Sequence, residues 1–217
     1  RGFGDVWMMT VNEYKESSRW ERLKYRLYRH PFIMFVLGPF FIALLSHRLV
    51  RPGSNRRERN SVWLTNISIV AMAAVVCWLI GWKEFLLIQC LTLFFALMAG
   101  VWLFYVQHQF EGVYWEREDD WDFVTASLEG GSFYKLPKIL AWFTGNIGYH
   151  HVHHLNPRIP NYNLPKCHRN IPKLQEIKPV RLFASWKSLR FRLWDEQRSQ
   201  MVGFGAIKQR SDIPRQS

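Results

Sequence analysis

His150, His151, His153 and His154 fall within five residues and are four of the chain's eight histidines. On a helix, positions i, i+3 and i+4 share one face. His150, His153 and His154 therefore project together, and His151 points about 100° away. Neutral imidazole is the commonest protein metal ligand and suits iron, zinc, copper and nickel. A single histidine is ordinarily a packed or solvated side chain. Four in five residues are not, and an internal cluster interrupted by Val152 is not a purification tag. The cluster predicts a metal site, although these residues alone do not choose the metal. It follows, at some distance, a long apolar segment ending at Val106, which points to metal chemistry at a membrane edge on a lipid-like substrate.

His108 lies just past the end of that apolar segment and is a fourth candidate ligand. Its bland alternative is a polar side chain snorkelling at an interface. His30, His47 and His168 stand alone beside Pro, Arg or Cys and are assigned no role. The chain has no Glu-x-x-His pair of the carboxylate di-iron bundles. It also lacks the His-Glu-x-x-His pattern of zinc hydrolases.

The elements that must position these imidazoles are legible from composition. The chain has 217 residues, 48% of them hydrophobic, with 11 Trp and 16 Phe. Its mean hydropathy is nevertheless slightly negative, at −0.16. That mixture fits apolar spans with large polar flanks. The formal charge is +12. The positive charge sits in two blocks flanking residues 61–106, where Lys83 and Glu84 are the sole charges. Beside apolar spans, the basic excess is better explained by the positive-inside rule than by nucleic acid, and no nucleic-acid partner is expected. Cys77, Cys90 and Cys167 form no spacing motif and read as packing residues.

Residues 62–82 and 85–106 are uncharged, and each is long enough for a span of about 20 residues. Trp63, Trp78, Trp82 and Trp102 lie near their ends, as an aromatic belt would. Joined by Lys83-Glu84, the two form a helical hairpin, so Arg59 and His108 share one side of the membrane. The positive-inside rule makes that side cytoplasmic. Residues 32–46 are apolar but short, with Gly38-Pro39 at their middle, and are expected to be re-entrant or interfacial rather than crossing. Residues 11–29 read as one amphipathic helix with Trp20, Leu23, Leu27 and Tyr28 on a face, either interfacial or simply at a surface. Pro137 opens a short helix through Trp142. Residues 156–163, with two prolines, read as loop. Residues 180–201 read as a helix carrying Leu182, Phe183, Trp186, Leu189, Leu193 and Trp194 on a broad apolar face. The acidic residues Glu116, Glu118, Asp119, Asp120 and Asp122 read as solvated surface, with docking of a basic partner as the alternative. The basic loop at Arg56, Arg57 and Arg59 is expected to meet anionic headgroups. The fold class is an all-α membrane protein: a transmembrane helical hairpin with interfacial helices and a cytoplasmic His-rich helical cap.

The blocks QHQFEGVYWEREDDWDF and GNIGYHHVHHLNPRIPNYNL resemble the membrane fatty acid desaturases, in the bacterial and cyanobacterial delta-12 or omega-6 acyl-lipid branch. The opening RGFGDVWMMTVNEY resembles the segment just after that family's second histidine box. SSRWERLKYRLYRHPFIMFVLGP and the tail ending MVGF are similar to the same branch. The resemblance implies two irons held by eight or nine histidines, from three boxes and one extra His. The third box maps onto His150, His153 and His154, and the extra His onto His108. The first two boxes have no counterpart here. The whole of 1–217 is thus expected to be one partial domain from the C-terminal part of an enzyme, inactive by itself. Residues 1–60 would be cytoplasmic or interfacial helices, 61–106 the transmembrane hairpin, and 107–217 the cytoplasmic cap with the third box. The intact, multi-pass membrane protein would use O2 and electrons from a donor such as ferredoxin to introduce a cis double bond into lipid acyl chains. Glu111 and Asn146 are expected to accept hydrogen bonds from ligand rings, with helix-end solvation as the plainer role.

Three other readings compete. A related di-iron lipid hydroxylase or carotenoid ketolase would share the histidine pattern. A non-enzymatic membrane metal or haem carrier would place axial histidines within the spans, yet neither span contains one. An inert truncated product is the third.

Overall fold

The computed structural model describes residues 7–116 and 122–209. In chain order it contains β1 (Met9–Thr10), α1 (Val11–Glu16), α2 (Arg19–Tyr28), a π-helical turn (Ile33–Leu37) and α3 (Gly38–Leu44). There follow α4 (Arg56–Ile80), α5 (Trp82–His108), α6 (Phe123–Glu129), β2 (Phe133–Lys135) and α7 (Lys138–Phe143). The remaining elements are α8 (His150–Leu155), α9 (Leu164–Asn170), α10 (Pro172–Gln175), β3 (Pro179–Arg181), β4 (Leu193–Asp195), β5 (Gln200–Val202) and α11 (Ala206–Gln209). The chain divides into two compact units: Arg26–Trp102, and the residues up to Tyr25 together with those from Leu103 onward.

The unit Arg26–Trp102 carries the apolar helices. Asn55 and Glu58 form a reciprocal capping box that starts α4, with bonds of 3.0 and 2.9 Å. Gly81 alone separates α4 from α5, in a left-handed conformation (φ 92°) that favours glycine. These are the two helices, among the described residues, long and apolar enough to cross a membrane. The most apolar window of each is wholly unburied. Trp78 is 84% exposed and Leu64 68%. Surfaces of that extent are stable only in apolar surroundings such as lipid or further protein. The 32–46 segment is not broken at Gly38-Pro39. The helix widens by one residue instead, and the Gly38 N–H bonds to the Ile33 carbonyl. The π turn lets the chain continue through Pro39, which lacks an N–H and crowds the preceding turn.

The other unit begins with two short helices where one was expected over 11–29. Thr10 and Glu13 cap α1 reciprocally, and Ser18 and Glu21 cap α2. The Ser17 N–H closes α1 on the Glu13 carbonyl, and Ser17 itself is extended. Paired serines end one helix and open the next because their hydroxyls compete with the helical backbone. The face with Trp20, Leu23, Leu27 and Tyr28 is exposed. Tyr25 is fully buried with Met9, Val11, Tyr14 and Leu193.

Residues 180–201 are not a helix. β3 pairs in parallel with β2, a 3-10 stretch covers Ala184–Arg190, and β4 and β5 pair antiparallel. β4 also pairs in parallel with β1, setting Leu193 against Met9. The apolar spacing imitated a helical face, but Leu193 and Trp194 are buried through partners at the opposite end of the chain. Phe183 and Trp186 are 85% and 61% exposed. The helix opened by Pro137 is present as α7, and the 156–163 loop contains one 3-10 turn at Asn161–Asn163. Of the acidic run, Glu118, Asp119 and Asp120 lie outside the described residues, whereas Asp122 caps α6 through the Thr125 N–H at 2.8 Å.

β2 sets the approach to the histidines. The Tyr134 N–H donates to the Gly148 carbonyl at 2.7 Å. A Cβ on Gly148 would lie 2.3 Å from the Tyr134 carbonyl oxygen, a backbone atom that cannot swing aside. Gly148→Ala should therefore push the start of α8 away from β2. We expect a loss of about 1–3 kcal/mol, read as a fall of several degrees in the melting temperature of the purified full-length protein in detergent.

Candidate metal centre

The site is assembled from the end of α5 and from α8. Tyr105, Val106 and Gln107, in the last turns of α5, are buried. The Tyr105 hydroxyl lies 2.9 and 3.0 Å from the carbonyls of Ser188 and Phe191. Gln107 Nε2 donates to the Ile147 carbonyl at 2.9 Å, and the Ser132 N–H donates to the Gln107 carbonyl at 3.0 Å. The Gln107–Ile147 bond ties α5 to the residues leading into α8, and the others anchor the end of α5 to Ser132 and to residues 188–191, so that His108 meets His150. Polar side chains at the end of an apolar helix could have signalled this lock. Its partners, all backbone groups, carry no sequence signature.

His108, His150 and His154 converge. Their Nε2 atoms form a triangle with sides of 3.2 Å (His108–His150), 3.3 Å (His108–His154) and 2.9 Å (His150–His154). His108 Nδ1 lies 2.8 Å from the Phe104 carbonyl. A carbonyl can only accept, so Nδ1 carries the proton and the Nε2 lone pair of His108 faces the other two rings. His150 Nδ1 is buried without a hydrogen-bond partner among the described residues. With metal–nitrogen bonds of about 2.1 Å, ligand nitrogens lie about 3.0 Å apart at right angles and about 3.4 Å apart in a tetrahedron. Two sides of the observed triangle fall in that range and the third, at 2.9 Å, lies just below it, so the three residues fit a metal ion.

The electrostatics agree with a neutral ligand set. Burial pushes the His150 imidazole down to about 2, helped by the neighbouring His108, His154 and His153. Burial, then His108 and His153, pushes His154 down to about 4. Each charged form would lose water and face like charges. His150 and His154 therefore present lone pairs at neutral pH rather than protons.

The other predicted residues sit differently. The His153 ring stacks on His150 at 5.7 Å between centroids and is not one of the three converging groups. Asn146, in a left-handed conformation, donates its amide to the Asn161 carbonyl at 3.3 Å. Glu111 is exposed in the turn after α5. His151 points away from the triangle, as its helical angle requires, and is fully buried. Its Nε2 lies 3.1 Å from Nδ1 of His168, a residue whose sequence context carried no signal. Burial lowers the affinity of both for protons, His151 to about 4.

The sequence signature of fatty acid desaturases matches residues 5–185. A fatty acid desaturase of Bacillus subtilis is 53% identical over 208 residues, which is 96% of this chain and 59% of that protein. A chloroplastic omega-6 fatty acid desaturase of Brassica napus is 29% identical over 92 residues, 42% of this chain and 20% of that protein. A human sphingolipid delta(4)-desaturase/C4-monooxygenase is 38% identical over 68 residues, 31% of this chain and 20% of that protein. The chain thus spans about three fifths of the length of the Bacillus subtilis relative. No solved structure matches.

Two predictions follow from the triangle. In the full-length protein, alanine at His108, His150 or His154 should each weaken retention of bound metal against a chelator at least about tenfold, as loss of a direct ligand must exceed loss of a supporting contact. Protons compete with metal only where an imidazole can charge. With His150 and His154 lowered to about 2 and about 4, metal content should hold as pH falls to about 5.5 and drop only below it. Release already at pH 6.5, where ordinary histidines charge, would contradict these shifts.

Proposed function

The chain belongs to the fatty acid desaturase family, and we propose that it is the C-terminal part of a membrane di-iron desaturase acting on lipid acyl chains. The observation that carries this reading is the convergence of three imidazole nitrogens from α5 and α8. Imidazoles without carboxylates suit iron. Bound iron would supply O2-dependent removal of two hydrogens from neighbouring methylenes, leaving a cis double bond. His108, His150 and His154 would hold one ion. His153, stacked beside His150, would serve a second, completed by histidines from elsewhere in the full-length protein. The buried flank of α8 keeps His150 and His154 dry and uncharged, so they would bind metal instead of protons.

On this reading α4 and α5 cross the bilayer as a hairpin, and the histidines lie at its cytoplasmic face. The basic loop at Arg56, Arg57 and Arg59 supports that side. Electrons would come from a ferredoxin-like donor.

Lipid hydroxylation is a second reading. The name of the human relative joins desaturation with monooxygenation, and both reactions begin by removing hydrogen from an unactivated carbon. Expression of the full-length gene in cells lacking polyunsaturated lipids, followed by gas chromatography and mass spectrometry of fatty acids, separates the two. We expect a new unsaturated acid that disappears in the His150→Ala variant. A hydroxylated lipid in its place would move the assignment to the second reading. Unchanged lipids from a stable, iron-loaded protein supplied with reduced ferredoxin would reject both.

A further inference from the structure

We propose that the His151–His168 pair is a positioning pair, which fixes the rotation of α8 so that His150 and His154 face His108. The proposal rests on the metal-site reading above and concerns two residues that hold no metal in it.

α8 has six residues, and Tyr149 at its N-terminus makes no side-chain cap. A helix this short has little internal stiffness, so its roll is set by what it touches. A roll of about 10° would move an imidazole nitrogen by roughly 1 Å, at its distance from the helix axis. That displacement is enough to spoil a metal site. The apolar contacts of α8 are Val152, buried with Leu128, Leu164 and Leu174, and the partly buried Leu155 beside them. Such contacts are non-directional and tolerate rotation. The imidazole–imidazole hydrogen bond is directional. His151 Nε2 lies 3.1 Å from His168 Nδ1 on α9, about 100° around α8 from His150. One ring must donate and the other accept, so the bond fixes both planes.

The surroundings preserve that bond. Phe133 lies 4.6 Å from the His168 ring and 5.6 Å from the His151 ring, and Tyr149 lies 5.2 Å from His168. Phe133 and Tyr149 stack on each other at 4.9 Å. Together they shield the pair from water. The Gly131 backbone presses on the same turn. A Cβ there would meet His151 Cα and N and His154 Cδ2 at 3.3 Å. Two leucines would fill this space without burying four polar ring nitrogens. The imidazoles are worth their desolvation only where direction matters.

The test uses Co2+ as the probe, added to metal-free full-length protein in nanodiscs and titrated against a chelator, with absorption reporting Co2+ and heat reporting unfolding. His108→Ala serves as the control for Co2+ at the triangle. His168→Leu should weaken Co2+ binding about 10–100-fold. His168→Asn, which keeps a hydrogen-bonding atom near the Nδ1 position, should restore it to within a few-fold. The double variant His151→Leu/His168→Leu should recover the melting temperature but not the Co2+ affinity. That split separates positioning from packing. Co2+ affinity that stays at the wild-type level in His168→Leu, or that returns with the melting temperature in the double variant, overturns the proposal. Wild-type protein that binds no Co2+ lost in His108→Ala overturns the metal-site reading together with it.

Discussion

Three imidazole nitrogens at 2.9–3.3 Å from one another, two of them on rings that burial keeps neutral, set the terms for everything around them. Lone pairs so close repel unless a cation or a proton lies among them. Burial and neighbouring histidines oppose the proton. The cluster fits a metal ion, and the protein holds the arrangement with bonds made elsewhere. Those bonds are the Gln107 and Tyr105 contacts to backbone carbonyls, the Phe104 carbonyl on His108, and the approach of Gly148 to β2.

The short strands matter for the same reason. β2–β3 and the β1–β4–β5 sheet are small, yet they join distant parts of the chain. Met9 and Thr10 sit against Leu193 and Trp194, and Phe133–Lys135 runs beside Pro179–Arg181. The helices of this unit are short and would not hold their angles alone. Main-chain pairing across long sequence separations supplies the frame on which α8 and the end of α5 are fixed. The apolar α4 and α5 follow a simpler rule, in which their composition demands apolar surroundings and the α-helix satisfies every backbone group.

Much of this was legible in the sequence, and the failures have physical causes. The two apolar helices followed from uncharged length, and the fold class from their flanks. The meeting of His150 with His154 followed from i, i+4 spacing, and that of His108 from its place at the end of a span. His153 shares the face nominally but lies about 60° to the other side of His150, by the helical turn. Resolving that requires knowing from which side His108 arrives. His168 was invisible because only the third dimension brings it to His151. The 11–29 helix split at Ser17-Ser18, a cap signal overlooked inside a periodic pattern. The 180–201 segment failed because Leu193 and Trp194 answer to β1, which periodicity within a window cannot detect.

Iron-edge X-ray absorption on the full-length protein, isolated in nanodiscs, tests the central claim most directly. The account predicts nitrogen neighbours at about 2.1 Å with the outer-shell pattern of imidazole rings, diminished when His108 is replaced by alanine. A first shell of sulfur, or of oxygen without imidazole features, would contradict it, as would a spectrum that does not change when His108 is removed.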